Sequence, residues 1–342
     1  MHTGLRYSNV ELILWTRRSL LRLVLVSSVP VILYQAAGLR WLAIPWPVVA
    51  LLGTATAFIV GFKNTQTYNR TWEARQIWGG IVNSSRAFAM LCRDSIEDRG
   101  VVRTLFVRHF AWLTALRYAM RERRAWEAQA KAHNEEYQSR TYLVPEQQQS
   151  LEEALAPYLD ADVIVGLLRK QNRAAQILAL QSETLASLHR SSGIDSVVYA
   201  EFQRALRDLV DQQGRSERIK NFPYPRQFAT INSLFIQIFC VLLPFGMLRE
   251  FERLGEPLGK PYAHWFVWLV VPFCVLVCWM YTTLDQVGES TENPFEGSPN
   301  DVPISQMSRA IEIAEKILHK ELANKADQDA YAKSLADNIK LN

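Results

Sequence analysis

Residues 41–62 (WLAIPWPVVALLGTATAFIVGF) carry no charge over 22 positions, and no other feature restricts the chain as strongly. As a helix rising about 1.5 Å per residue, this run spans a hydrocarbon core of ~30 Å. The sequence then turns polar in GFKNTQTYNRTWEARQIWGG, and no proline occurs across residues 63–93. The spacing predicts one helix that leaves the bilayer and continues into water. Residues 227–248 and 265–284 are likewise uncharged, and 23–39 form a shorter apolar stretch next to Arg22, with Pro30 inside it. Four spans with a large polar segment between the second and third describe this pattern.

Averages conceal that segregation. A chain of 342 residues that is 49% hydrophobic and 21% charged reads like a soluble protein. The net charge of +4 is too mild for a nucleic-acid partner or a polybasic membrane tail. Charge position says more. Arg6, Arg17, Arg18, Arg22, Lys63, Arg70, Arg75, Arg215, Arg218, Lys220 and Arg226 flank the spans on one side; Arg40, Arg249, Arg253 and Lys260 lie on the other. The positive-inside bias therefore predicts a multi-pass protein of the cell (inner) membrane, bathed by membrane lipids, with both termini cytoplasmic. The expected layout is a cytosolic N-terminal segment (1–19), an amphipathic entry helix around ELILW. Spans one and two follow (20–62), then a cytosolic helical domain (63–226), spans three and four (227–284), and a cytosolic C-terminal segment and tail (285–342).

Within the polar segment, helical spacing recurs at 73–94, 101–120, 150–168, 174–188 and 197–210, and residues 121–149 read as an exposed helix end plus a loop. Ile304, Met307, Ile311, Ala314 and Leu318 form a last apolar stripe. Pro244 is expected to kink or divide the third span. No strand alternation stands out, so the fold class is an all-α membrane protein. Asn300 and Asp301 are placed to cap the helix beginning near Pro303.

Catalysis finds no support. The six histidines are dispersed, and no metalloprotease, Walker, nucleophile-elbow or dinucleotide motif occurs. No enzyme, metal or cofactor is expected. Cys92, Cys240, Cys274 and Cys278 read as small apolar residues. Glu73 with Arg75, and Glu217 with Arg218, read as ion pairs at helix ends or between subunits.

Conduction has more to stand on. Thr54, Phe58 and Phe62 lie four apart on one helix face, interleaved with Gly53, Ala55, Ala57 and Gly61, small enough for close helix approach. Periodicity alone leaves two orientations open, toward a pore or toward lipid and bundle neighbours.

Three blocks carry a family resemblance: GFKNTQTYNRTWEARQIWGGIVNSSR, GRSERIKNFPYPRQFATINSLFIQIFCVLLPFG and ENPFEGSPNDVPI. In order and in relation to the spans they resemble the bacterial bestrophins. The motif positions are Gly61, Arg70, Trp72, Glu73 and Arg75, then Glu217 and Arg218, then Asn293, Pro294 and Phe295. The resemblance implies four transmembrane helices per subunit with a helical cytosolic domain. It also implies a homopentameric channel passing small ions along one central pore. It puts a hydrophobic neck at Thr54, Phe58 and Phe62, with Thr54 departing from the usual apolar residue. A cytosolic aperture falls at Val197, with Val198 the adjacent choice. Animal members bind calcium through acids after the NPF segment; here Ser298 replaces one, which argues against calcium activation. The neck carries no charge that would fix the sign of the ion, so the animal preference for chloride is not readable from it. The alternative reading is a membrane-anchored scaffold or sensor whose cytosolic helices bind a partner.

Overall fold

The computed structural model describes residues 8–127, 131–141, 143–259 and 264–318. Arg6, Lys260 and the tail from 319 to 342 lie outside them. Among the described residues the chain forms, in order, α1 (Asn9–Ala36), α2 (Trp46–Ser95), α3 (Arg99–Arg121), α4 (Ala132–Thr141), α5 (Leu151–Leu155), α6 (Ala161–Leu168), α7 (Arg173–Arg190), α8 (Ser196–Asn221), α9 (Arg226–Gly255), α10 (Val270–Ser290) and α11 (Ile304–Leu318). No strand occurs among the described residues, and the chain is all-α.

Helix α2 is unbroken for 50 residues, about 75 Å at the helical rise. It starts behind Pro45 with a second proline in its first turn, where a missing N–H costs least. Helices α1, α2, α9 and the segment 264–290 are long and apolar enough to cross a membrane. Leu21, Leu25, Val29, Leu234 and Leu276 on these helices are exposed, as expected where hydrocarbon rather than water covers the surface.

Two separate apolar cores result. One joins the spans through Val31, Val49, Val60, Phe239, Leu243 and Cys274. The other, outside them, gathers Trp78, Phe88, Phe106, Trp112, Phe202 and Phe295. Helix α2 enters both, contributing Val49 and Val60 to the first and Ala74 through Cys92 to the second. All four cysteines are free and buried.

Several expectations need correction. Residues 9–19 are not a separate entry helix. Ser8 Oγ accepts from Glu11 N at 3.1 Å while the Glu11 carboxylate accepts from Ser8 N at 2.9 Å, so one capping box launches the whole of α1. Residues 150–168 form two helices, because Pro157 lacks the N–H that would carry α5 onward and Asp160 starts α6. Residues 121–149 hold α4. Of the two outcomes expected at Pro244, division does not occur: α9 runs through it as one helix. Asp301 does not cap α11: its carboxylate instead accepts from Gly297 N (2.6 Å) and Ser298 Oγ (2.5 Å) and pairs with Arg121 Nη1 at 3.1 Å. Burial pushes the Asp301 carboxyl above its usual range, against the pull of Arg121.

Candidate ion-conducting face

Helix α2 has two sharply different sides where it crosses the membrane layer. Val49, Gly53, Thr56, Val60, Lys63 and Thr67 succeed one another at spacings of three and four, and all are buried against the chain's own helices. Gly53 is needed for that approach: a Cβ there would lie 2.7 Å from the Phe239 ring. Tyr281 Oη of α10 donates to Gly53 O at 3.2 Å, fixing the same contact from the other side.

The opposite side carries Thr54, Phe58 and Phe62. All three are exposed, Phe58 at 77% and Phe62 at 55%, and they border an open recess of about 840 Å³ shared with Trp46, Gly61, Phe239 and Tyr281. Thr54 Oγ1 donates to Ala50 O at 2.9 Å, so its hydroxyl is already satisfied within the helix. Lys63, next in sequence to Phe62, turns inward. It is 4% exposed and its Nζ lies 2.7 Å from Asp285 Oδ1. Its charge is therefore matched inside the protein and not displayed beside the phenyl ring.

Below this level the motif residues tie α2 to its neighbours. The Arg70 guanidinium donates to the carbonyls of Ile219 and Phe222, the otherwise open C-terminal end of α8. Thr71 Oγ1 donates to Thr291 O at 2.8 Å. Trp72 and Arg75 are exposed. Glu73 pairs with Arg218 of α8 and not with Arg75, because residues two apart on a helix point away from each other. Glu217 likewise does not pair with Arg218. Its Oε1 accepts from Asn172 Nδ2 (2.9 Å) and Gln213 Nε2 (2.7 Å), and Gln213 Oε1 takes the buried Trp112 indole N–H at 2.9 Å.

Asn293, Pro294 and Phe295 are buried, with the Phe295 ring 6.4 Å from that of Trp78. Pro294 O accepts from Val302 N at 3.2 Å, folding the segment back on itself beneath α2. Val197 is 73% exposed at the start of α8, where Asp195 Oδ1 accepts from the N–H groups of Val197 and Val198, each at 2.8 Å. Val198 differs, packing partly buried against the extramembrane core. The structure thus brings Thr54, Phe58, Phe62 and Gly61 onto one open face. It sets the Arg70, Glu73 and Arg218 group behind it as a brace, and Val197 on a separate element. Sequence reasoning missed the Lys63–Asp285 pair, although each is the first charge after an uncharged run.

Residues 16–316 match the family model described as Bacterial/Fungal Bestrophin protein. The voltage-dependent anion channel-forming protein YneE of Salmonella typhi is 25% identical over 298 residues, covering 86% of this chain and 84% of its own. YneE of Escherichia coli K12 is 25% identical over 280 residues, covering 82% and 78%. A crystal structure of a bacterial bestrophin homologue from Klebsiella pneumoniae superposes with a TM-score of 0.71 at 21% identity, covering 86% of this chain and 95% of that one.

Proposed function

This chain belongs to the bacterial and fungal bestrophin family, and we propose that it is an ion channel whose pore is lined by α2 from five copies around one axis. The observation that carries the reading is the open Thr54–Phe58–Phe62 face. It runs down a helix whose other side is fully packed, and none of its side chains is charged. Its relatives are named for anion channels, which supports anions as the permeant species here. The same reading places the polar helical domain and both termini in the cytoplasm of the inner membrane, with lipid against α1. It makes the protein a channel and not an enzyme.

In this reading three stacked rings form a hydrophobic neck. Ringed phenyl groups expel water when close together and admit it when they part, so the width of the rings switches conduction. Phenyl edges carry partial positive charge, and rings that turn edges inward favour anions without any basic side chain. Because the Thr54 hydroxyl is bonded to its own helix, the outermost ring presents less polarity than its residue type suggests. Val197, projecting from α8, forms a second, cytosolic constriction.

Purified protein in a planar bilayer under a salt gradient tests this. A reversal potential shifted toward the anion equilibrium value is expected. Phe58→Ala with Phe62→Ala should raise the unitary conductance or the open fraction. Absence of any flux favours a scaffold, and unchanged conductance in the double variant removes these rings from the pore.

A further inference from the structure

A neck built on α2 works only if the helix keeps one rotational setting, and no residue on its open face fixes that setting. The residues just behind it do. Lys63 leaves α2 about 100° round from Phe62. It reaches Asp285 Oδ1 of α10 at 2.7 Å. The same oxygen accepts from Asn232 Nδ2 of α9 at 2.6 Å, and Asn232 is 1% exposed. One carboxylate therefore ties three membrane-crossing helices together at the level of the inner phenylalanine. The next residue repeats the link. Asn64 packs so closely over Gly288 of α10 that a Cβ there would lie 2.3 Å from Asn64 Oδ1.

We propose that Lys63, Asp285 and Asn232 form a positioning lock that sets the rotation of α2 and holds Phe62 toward the pore axis. The proposal rests on reading Thr54, Phe58 and Phe62 as the neck. Away from bulk water, parting the pair leaves an uncompensated charge on each side, so α2 resists turning. The lock also keeps the Lys63 charge matched away from the permeation path, which leaves selectivity to the rings.

The test uses the full chain in planar bilayers. Lys63→Met with Asp285→Leu removes the pair without leaving a lone charge, so the protein assembles. Its open probability should change severalfold, while Lys63→Arg, which keeps the pair, stays close to wild type. Added to Phe58→Ala/Phe62→Ala, the double replacement should have little further effect, since both rings that the lock positions are gone. A purely structural role would lower the melting temperature and leave the gating of the assembled protein untouched. Wild-type gating in the double variant overturns the lock, as does an equal fold-change in the Phe58→Ala/Phe62→Ala background. Wild-type conduction in Phe58→Ala/Phe62→Ala removes the neck itself; altered conduction there with wild-type gating in Lys63→Met/Asp285→Leu removes the lock alone.

Discussion

Glu315 on α11 is 2% exposed, and neither of its carboxyl oxygens meets a hydrogen-bond donor. His109 of α3 lies 3.9 Å away, fully buried, with its Nε2 2.9 Å from Ser85 Oγ. Burial holds the Glu315 carboxyl well above its usual 4.5, with Glu312 adding to the shift and Arg86 opposing it. Burial also lowers His109 from 6.5 to about 3. Burial thus favours the neutral form of both groups, and His109 is neutral in the folded protein near neutral pH. Above pH 4.5 the unfolded chain loses the glutamate proton that the native state keeps, so stability falls as pH rises, by up to about 1.4 kcal/mol per unit. Below pH 6.5 the unfolded chain binds a histidine proton that the native state refuses, so stability falls as pH drops toward 3. The two slopes oppose each other between 4.5 and 6.5. Glu315→Gln should therefore raise the melting temperature in detergent at pH 8 and change it little at pH 4; equal gains at both would sink the assignment. None of this was readable in the sequence. Glu315 looks like any polar position beside an apolar stripe, and only the docking of α11 on α2 and α3 encloses it. Glu217 is a related case: Gln213, one turn away, is visible as a partner, but Asn172 arrives from the cap in front of α7.

The long helix was legible because its causes are local: an uncharged run, an entry proline and a proline-free continuation. The division between α5 and α6 also has a local cause in Pro157, but apolar spacing on both sides of it mimics one helix. Continuity of α9 through Pro244 has a tertiary cause, since packed neighbours support a proline inside a membrane helix better than water would. Close helix approach is tertiary as well. A Cβ at Gly246 of α9 would lie 2.9 Å from Val49 Cγ2 and 3.1 Å from its Cβ, so Gly246→Val must push α2 and α9 apart. Overpacking of that kind costs about 1–3 kcal/mol. Gly166 in α6 has no neighbour within 4 Å of an added Cβ, and Gly166→Ala should be neutral or gain roughly 0.5–1 kcal/mol from helix propensity. Thermal unfolding of the two variants in one detergent makes the comparison. A Gly246→Val protein as stable as wild type would show that the α2–α9 contact is slack.

At the scale of the molecule, the open side of α2 and the open side of α1 look alike within one chain, since both display apolar side chains. Hydrophobic periodicity could not separate them for the same reason: lipid and a dry neck select similar residues. A ring of copies does separate them. Equivalent residues facing the axis approach one another, whereas those facing lipid are the farthest apart. Thiol cross-linking reads that distance directly, and the native background is low because all four cysteines are buried. Phe62→Cys should give covalently linked copies under mild oxidation or with a short bis-maleimide, in a ladder ending at five chain masses. Leu25→Cys, on the exposed side of α1 at 66% exposure, should remain unlinked under the same conditions. Linked Leu25→Cys with unlinked Phe62→Cys would turn the assembly inside out, putting α1 at the axis and α2 against lipid. A ladder ending elsewhere would keep the pore helix and change the number of copies around it.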